Sequence, residues 1–261
     1  ELDGIVRQLE GASYRVEDVK QGERIKKAPI PFTTSTLQQE ASKNLNFSTQ
    51  KTMRLAQQLY EGVEVKGHGT IGLITYLRTD STRVAEEADQ AAKAFIGSHY
   101  GSDYVAGEEK ARKSSGKIQD AHEAIRPTDI SLTPSAVKES LTRDLFRLYQ
   151  LIWKRFTASR MKPAVYETTA VKIDAAGYLF TLTASKLAFD GFMSVYVDED
   201  DREENNVLLN RLSEGDVLPL ADLEYGQHFT QPPAHYTEAS LVKALEEQGI
   251  GRPSTYAATI T

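Results

Sequence analysis

A tyrosine and an arginine two residues apart, Tyr76 and Arg78, are the side chains whose types and spacing best suit chemistry on a phosphate. Asp80 or Ser81 can cap a helix that starts near Thr82, which places both side chains just before a helix N-terminus. Backbone amides at such a terminus favour a bound phosphate. The alternative is a structural role, because a tyrosine in an apolar run is usually a core residue.

A second candidate pair is His122 and Arg126, in the segment Asp120–Thr128. In a helix ended by Pro127 the two side chains would lie four residues apart on one face, where they could contact an anion. The alternative is that His122 is a hydrogen-bonded structural group, as a lone histidine more often is.

A third candidate lies near the end of the sequence. Thr237 is expected to cap a helix that ends at Gly249 and Gly251, and another helix is expected to start directly afterwards. A cation and hydroxyls at the start of that helix suit a backbone phosphate. These residues are Arg252, Ser254 and Thr255. Ordinary capping between two helices is the alternative.

The composition limits the classes of protein to which the chain can belong. Its 261 residues carry a formal net charge of −6 and include no cysteine. This excludes disulfides, cysteine zinc sites and thiol nucleophiles, and it suits a cytosolic protein. No run reaches the roughly 18 apolar residues of a membrane span. An acidic total does not favour nucleic-acid binding.

The charge is nevertheless uneven along the chain. Lys110–Lys117 and Arg143–Lys162 are basic, and the first is expected to be a loop that either touches a polyanion or is solvated. The acidic run Asp198–Glu204 is expected to be a solvated loop. The chain has no initiator methionine, and its last predicted helix stops at Thr261. We therefore expect an internal segment of a longer protein.

The first half of the chain has the pattern of capped helices. The window Thr36–Gln39 fits a capping box for one helix, and Ser48 can cap a second helix that Gly62 ends. Two short helices joined by a tight turn are typical of a helix-turn-helix. A strand predicted over Thr70–Leu77 follows, so a winged arrangement that carries Tyr76 is expected.

Helical periodicity continues to about residue 162. Thr133 and Pro134 fit the start of one helix, with proline at the first helical position. Apolar residues then recur at three- and four-residue steps and predict a core-facing stripe. Its members are Leu145, Leu148, Ile152 and Phe156.

Strand-like segments flank this helical block on both sides. Ser13–Lys20 precedes it, with a turn expected at Gln21-Gly22. Four strands are predicted after it: Thr168–Ile173, Tyr178–Thr183, Phe192–Val197 and Val217–Leu223. The first two flank the hairpin signal Asp174–Gly177. All these strands most simply belong to one β domain into which the helical block is inserted.

Four segments, in this order, resemble the motifs of the type IA DNA topoisomerases, and in particular those of the bacterial enzymes. The segment Gly72–Ser81 is similar to the family's active-site motif. The other three segments are Pro31–Ala41, Asp120–Thr128 and Pro232–Tyr256. The strand regions between them are less diagnostic.

The resemblance implies a toroidal α+β multidomain enzyme. An antiparallel β arm domain would comprise residues 1–32 and 163–231. An inserted helical, winged-helix-like domain with the active tyrosine would comprise 33–162, and a helical domain that binds single-stranded DNA would begin at 232–261. The metal-binding Toprim domain and its Mg²⁺ would lie outside this sequence, so no metal site is expected within it. A cytoplasmic, nucleoid-associated enzyme without membrane contact is expected.

The resemblance also implies a mechanism. Such enzymes cleave one DNA strand through a 5′-phosphotyrosyl intermediate, pass a strand and reseal without ATP, which relaxes negative supercoils. Tyr76 would be the nucleophile and Arg78 the phosphate clamp, since residues two apart on a strand point to one face. DNA contacts would come from Thr79, Asp80, His122, Arg126, Arg252, Ser254 and Thr255. Thr79–Ser81 can instead be mainly a capping cluster. The chain alone is not expected to relax DNA.

Two other classes fit parts of the pattern. A non-catalytic DNA-binding module would use the helix-turn-helix and the basic segments without chemistry. An enzyme of the tyrosine-recombinase type would need dispersed arginines and histidines around a tyrosine late in the chain, whereas Tyr76 lies early.

Overall fold

The computed structural model describes residues 2–107, 122–197 and 211–260. In chain order its helices and strands are α1 (Leu2–Glu10), β1 (Tyr14–Lys26), α2 (Thr34–Leu45), α3 (Thr49–Glu61), β2 (Val63–Val65), β3 (Gly69–Ile71), α4 (Glu86–His99), α5 (Pro134–Val137), α6 (Arg143–Ser159), β4 (Ala164–Ala175), β5 (Tyr178–Phe189), β6 (Val217–Leu218), α7 (Glu238–Glu247) and α8 (Tyr256–Ile260). The predicted loops at Lys110–Lys117 and Asp198–Glu204 lie outside the described residues.

The chain divides into two compact units. The sheet unit comprises Glu1–Lys26, Pro163–Asp190 and Val197–Pro233, and the helical unit comprises Lys27–Lys162, Gly191–Tyr196 and Ala234–Thr261. Residues 234–261 group with the helical unit in this division. That they open a separate domain for single-stranded DNA stays a prediction.

The sheet unit is built on an antiparallel sheet with the strand order β5-β4-β1-β6. The hairpin predicted at Asp174–Gly177 is confirmed, with Ala175 opposite Tyr178. Its two loop residues, Ala176 and Gly177, have φ values of 52° and 83°, as a tight turn matched to the twist of the strands requires.

Three predictions about strands and turns in this part of the chain were wrong. β1 runs straight through Gln21-Gly22, because both residues pair with β4 and stay extended. Phe192–Val197 forms no strand; a 3₁₀ helix covers Gly191–Ser194. The strand predicted over Val217–Leu223 is only two residues long, since only Val217 and Leu218 pair with β1.

A small core holds the sheet unit together. The Tyr14 hydroxyl donates to the Leu9 carbonyl at 3.1 Å, which ties α1 to the start of β1. The buried apolar residues of this core are Leu9, Tyr14, Val16, Val171, Ile173, Ala175 and Ala184.

The helical unit begins with the predicted pair of capped helices. The capping box is formed by Thr33 and Thr36, three residues earlier than the predicted window Thr36–Gln39. Ser48 caps α3 and Gly62 ends it, as predicted. The β2–β3 hairpin follows these helices. This order of helix, helix and hairpin agrees with the α+β class and with a wing after the two helices, but Tyr76 lies beyond β3 and not on the wing.

A large core underlies these elements. All four residues of the predicted α6 stripe are buried, and two polar aromatic groups on α6 are paired within the core. The Tyr149 hydroxyl donates to the Leu132 carbonyl at 2.6 Å, and Trp153 Nε1 donates to the Ile130 carbonyl at 3.0 Å. Burial raises the pKa of Tyr149 well above its usual value.

Three predictions close to the candidate residues were wrong. The strand expected over Thr70–Leu77 stops with β3 at Ile71. The helix expected near Thr82 begins at Glu86, after Ala85, which offers no side-chain cap. The helix expected around His122 is absent, because Ile125 and Pro127 form isolated bridges with Phe32 and Ile74. These backbone groups are therefore used in pairing between distant segments.

Within the described ranges, the helices include none that is long and apolar enough to cross a membrane.

Candidate active site

Segments that are distant in the sequence meet around Tyr76 within the helical unit. The Thr75 amide donates to the Arg126 carbonyl at 2.9 Å, and the Ile125 amide donates to the Phe32 carbonyl at 2.8 Å. The Thr34 amide in turn donates to the Thr79 carbonyl at 2.9 Å. Three of the four motif segments are thus joined through their backbones.

Tyr76 is presented on the surface of this assembly, with 39% of its area exposed. Its ring packs edge-on against Tyr60, with centroids 5.5 Å apart, and stacks with His122, with centroids 5.6 Å apart and ring planes 28° apart. Its hydroxyl makes no hydrogen bond to any described residue. The alternative of a core tyrosine is therefore wrong, because the ring is held from two sides while the hydroxyl stays available.

Buried neighbours fix the loop that carries Tyr76. Leu73, Ile74 and Leu77 are almost fully buried in the core. The Leu73 amide donates to the Leu59 carbonyl at 2.7 Å, which attaches the loop to the last turn of α3. Gly72 permits this close approach, since a Cβ there would lie 2.6 Å from a backbone oxygen of α3.

Arg78 is exposed and makes no ion pair with another described residue. Thr79, immediately after it, is buried, and its hydroxyl accepts a hydrogen bond from the Ser81 amide at 3.0 Å. The Ser81 hydroxyl accepts from the Arg83 amide at 3.2 Å. Thr79 and Ser81 thus stabilise a local turn after Arg78. The Arg78 guanidinium has no partner among the described residues and is available to bind a ligand.

His122 and Arg126 have different surroundings. His122 is exposed beside Tyr76. The Arg126 side chain is only 13% exposed; its Nε pairs with Glu123 Oε2 at 2.7 Å, and it also donates to the Pro127 carbonyl at 3.0 Å. The charge of Arg126 is therefore already balanced within the protein.

The last motif segment lies near the same loop. Burial raises the pKa of Tyr256, and the carboxylates of Glu246 and Asp80 raise it further, while Arg252 opposes them. The Ser35 hydroxyl, in the Pro31–Ala41 segment, donates to Glu246 Oε2 at 2.6 Å. Glu246 thus joins this part of the chain to the Pro31–Ala41 segment, which in turn bonds to the loop that carries Tyr76 through the Thr34 amide and the Thr79 carbonyl.

Arg252, Ser254 and Thr255 are all exposed within that segment. The Thr255 hydroxyl accepts from the Arg252 amide at 2.9 Å, so this part of the predicted capping is present. The Arg252 guanidinium donates to the Gly251 carbonyl at 3.0 Å and otherwise faces solvent.

Two residues that the sequence did not single out belong to this site. Tyr60 contacts the Tyr76 ring, and Thr34 hydrogen-bonds the backbone on both sides of Arg78. The sequence gives little signal for either one. Tyr60 comes at the end of an amphipathic helix, and Thr34 lies in a run of four possible caps.

The described residues offer no cluster of metal-ligating side chains. Among them, no three histidine, cysteine, aspartate or glutamate side chains cluster closely enough to hold a metal ion. The described side chains therefore do not fit Mg²⁺, which needs several oxygen ligands close together.

The geometry agrees with comparisons to known proteins. A family model described as DNA topoisomerase matches residues 1–261. The chain belongs to the DNA topoisomerase family. This topoisomerase chain is also similar to the solved structure of full-length topoisomerase I from Thermotoga maritima, with 41% sequence identity and a TM-score of 0.86. The match covers 100% of this chain and 42% of that one, so this chain spans less than half the length of that relative.

Proposed function

We propose that this chain is the tyrosine-bearing part of an ATP-independent type IA topoisomerase. The enzyme would act on single-stranded regions of negatively supercoiled DNA, open one strand, pass a strand through and reseal it. The observation that carries the proposal is the exposed Tyr76, held between two rings, two residues before the unpaired Arg78. Because the chain belongs to the DNA topoisomerase family, this tyrosine and arginine are proposed to act on DNA phosphates.

In this mechanism Tyr76 Oη attacks the phosphorus of a DNA phosphodiester. The new P–Oη bond replaces the P–O3′ bond, so the 5′ end of the broken strand becomes a phosphotyrosyl ester. The 3′ oxygen leaves and gains a proton, while the tyrosine hydroxyl loses one. One ester replaces another, so the bond energy is kept and the reverse reaction reseals the strand without ATP.

Arg78 would stabilise the charge that develops during this exchange. A tyrosine hydroxyl ordinarily titrates near 10, and the phosphate gains charge as the nucleophile attacks. A free guanidinium can bind two oxygens of that phosphate at once. The described residues pair Arg78 with no carboxylate, so its full charge is available for the reaction.

The remaining residues would bind the DNA around the cleavage point. His122, Arg252, Ser254 and Thr255 are exposed and suit contacts to phosphates or sugars. Asp80 is exposed in the loop that carries Tyr76 and is a further proposed contact to the DNA. For Arg126 and Thr79 the proposed role is supporting the site rather than binding DNA directly, because both side chains are already paired within the protein.

The Mg²⁺ that the family resemblance implies would be held by a Toprim domain in the intact enzyme. The intact enzyme is this chain joined to that domain. We expect the intact enzyme to be cytoplasmic and to act on nucleoid DNA. The 42% coverage of the Thermotoga maritima protein leaves room for such a domain.

The test is to supply the Toprim domain to this chain, with supercoiled DNA and Mg²⁺, and to measure both relaxation and covalent adduct. Adduct formation that requires both pieces supports the proposal. Tyr76→Phe should abolish the adduct. Tyr225→Phe is its matched control, because Tyr225 is exposed but lies in the sheet unit. Tight DNA binding without cleavage in any mixture would favour a non-catalytic DNA-binding module.

A further inference from the structure

We infer that Thr34 is a positioning residue for Arg78: its buried side chain holds the backbone on both sides of the arginine and so fixes the point from which the guanidinium extends. This inference rests on the proposed function. It concerns how the clamp is held, not which residue attacks the phosphate.

The hydrogen bonds of Thr34 enclose Arg78 in the sequence. Thr34 Oγ1 donates to the Leu77 carbonyl at 2.7 Å and lies 3.1 Å from the Thr79 carbonyl. The same oxygen accepts from the Thr79 amide at 2.9 Å, and the Thr34 amide donates to the Thr79 carbonyl, also at 2.9 Å. One residue thus contacts the main chain immediately before and immediately after Arg78.

This side chain is not needed to cap its own helix. Thr34 is the first residue of α2, but the cap and the capping box are supplied by Thr33 and Thr36. The Thr34 side chain is free to bond outside α2, and all its side-chain hydrogen bonds go to the Leu77–Thr79 segment, 43 to 45 residues away.

Burial makes these bonds rigid. Thr34 is fully buried, and Leu77 and Thr79 are only 1% and 2% exposed. Arg78 is the one exposed residue of this triplet, so its side chain leaves a fixed base and points outward. A fixed backbone places the start of the Arg78 side chain reproducibly relative to Tyr76, which a clamp requires, because a displacement of about 1 Å can cost about 100-fold in rate.

The test compares two substitutions in the intact enzyme. Thr34→Val has nearly the same shape but lacks the hydroxyl, whereas Thr34→Ser keeps the hydroxyl. Single-turnover cleavage of a labelled single-stranded oligonucleotide gives the rate, and anisotropy gives the DNA Kd. We expect Thr34→Val to slow cleavage about 10- to 100-fold. We expect Kd to change by less than about threefold, because one clamp is a small part of the phosphate contacts. Thr34→Ser should restore cleavage to within about threefold.

A double-mutant cycle separates positioning from general loss of structure. In an Arg78→Ala background, Thr34→Val should cause little further loss, because the residue it positions is gone. Trp153 fluorescence of the 261-residue chain shows whether each variant is folded, since Trp153 is the sole tryptophan of that chain and is buried in the helical unit. If Thr34→Val does not fold, Thr34→Cys, which keeps a weak donor at the same position, takes its place in the same cycle.

The outcomes distinguish the two levels of the proposal. A wild-type enzyme that forms no adduct contradicts the proposed function, and with it the role of Thr34. A wild-type adduct together with an equally fast Thr34→Val variant contradicts the role of Thr34 alone. Equal losses from Thr34→Val with and without Arg78 would also overturn it, because Thr34 would then act through something other than Arg78.

Discussion

Replacing Gly72 with alanine tests how closely the loop that carries Tyr76 is fitted to α3. A Cβ at Gly72 would lie 2.6 Å from the Tyr60 carbonyl oxygen. Ordinary contact begins at 3.4 Å, so the two backbones would have to separate by about 0.8 Å. The Tyr60 oxygen belongs to the backbone and cannot turn away as a side-chain tip can, so the loop that carries Tyr76 must move.

The cost has two parts. Overpacking against a fixed backbone costs about 1–3 kcal/mol. The Leu73 amide hydrogen bond to the Leu59 carbonyl, now 2.7 Å, would stretch by a similar distance and lose about 1 kcal/mol. We therefore expect Gly72→Ala to lower the free energy of unfolding of the helical unit by about 2–4 kcal/mol.

Urea unfolding of the 261-residue chain, followed by Trp153 fluorescence, measures this change in the helical unit alone. Gly97→Ala is the matched control. Gly97 lies within α4, and a Cβ there would be 3.6 Å from Val105, an ordinary contact. Alanine is the better helix former, so this control should be stabilised by about 0.5–1 kcal/mol.

The same substitution should also disturb the reaction. A displaced loop moves Tyr76 relative to Arg78, so adduct formation by the intact Gly72→Ala enzyme should fall even at temperatures where it is folded. An unfolding midpoint equal to that of the unmodified chain, with normal adduct yield, would refute the reasoning from close approach.

Two other substitutions test single side chains. Arg78→Ala should leave the free energy of unfolding within about 0.5 kcal/mol, because the side chain is exposed and unpaired among the described residues. It should slow DNA cleavage by at least about 100-fold, and cleavage at the normal rate would show that Arg78 has no part in the site. Asp89 is the second. Burial acts to raise its pKa, but hydrogen bonds from Lys93 and Arg160 outweigh burial and lower it. Its stabilising effect is thus present above the unfolded pKa of about 3.9 and is lost as pH falls through the folded value. Asp89→Asn should cost about 1–2 kcal/mol at pH 7 and progressively less below pH 4, as urea unfolding at each pH would show; a pH-independent difference contradicts this.

Local signals in the sequence predicted much of the fold correctly. The hairpin at Asp174–Gly177, the Ser48 cap with its Gly62 ending and the α6 stripe are each specified by neighbouring residues. The Thr237 cap of α7 is another case. Turn chemistry, capping and helical period act over a few residues, so a single sequence contains the information they need.

Pairing between distant segments explains the failures. Thr70–Leu77 has strand-like composition, but after Ile71 its backbone bonds to α3 and to the segment around Arg126. His122–Arg126 has helical spacing, but pairing with Phe32 keeps it extended. Neighbouring residues do not determine which distant carbonyl accepts a hydrogen bond from a given amide. Tertiary contacts therefore override local preference here.

The candidate site was predictable to a similar extent. Tyr76 and Arg78 were predicted from their types and spacing, supported by the family resemblance, and their roles stay predictions. The sequence could not show that Thr79 and Arg126 are paired inside the protein, nor that Thr34 and Tyr60 contact the two central residues. Those relations depend on the folded arrangement of four separate segments.

The most direct test of the central claim is to identify the residue that becomes bonded to DNA. The intact enzyme is mixed with a single-stranded oligonucleotide and Mg²⁺, stopped with denaturant, digested, and the peptide that carries the nucleotide is sequenced by mass spectrometry. We predict a phosphodiester link on Tyr76, lost in Tyr76→Phe and kept in Tyr225→Phe. A nucleotide attached to any other residue, or an adduct that survives Tyr76→Phe, would contradict the account.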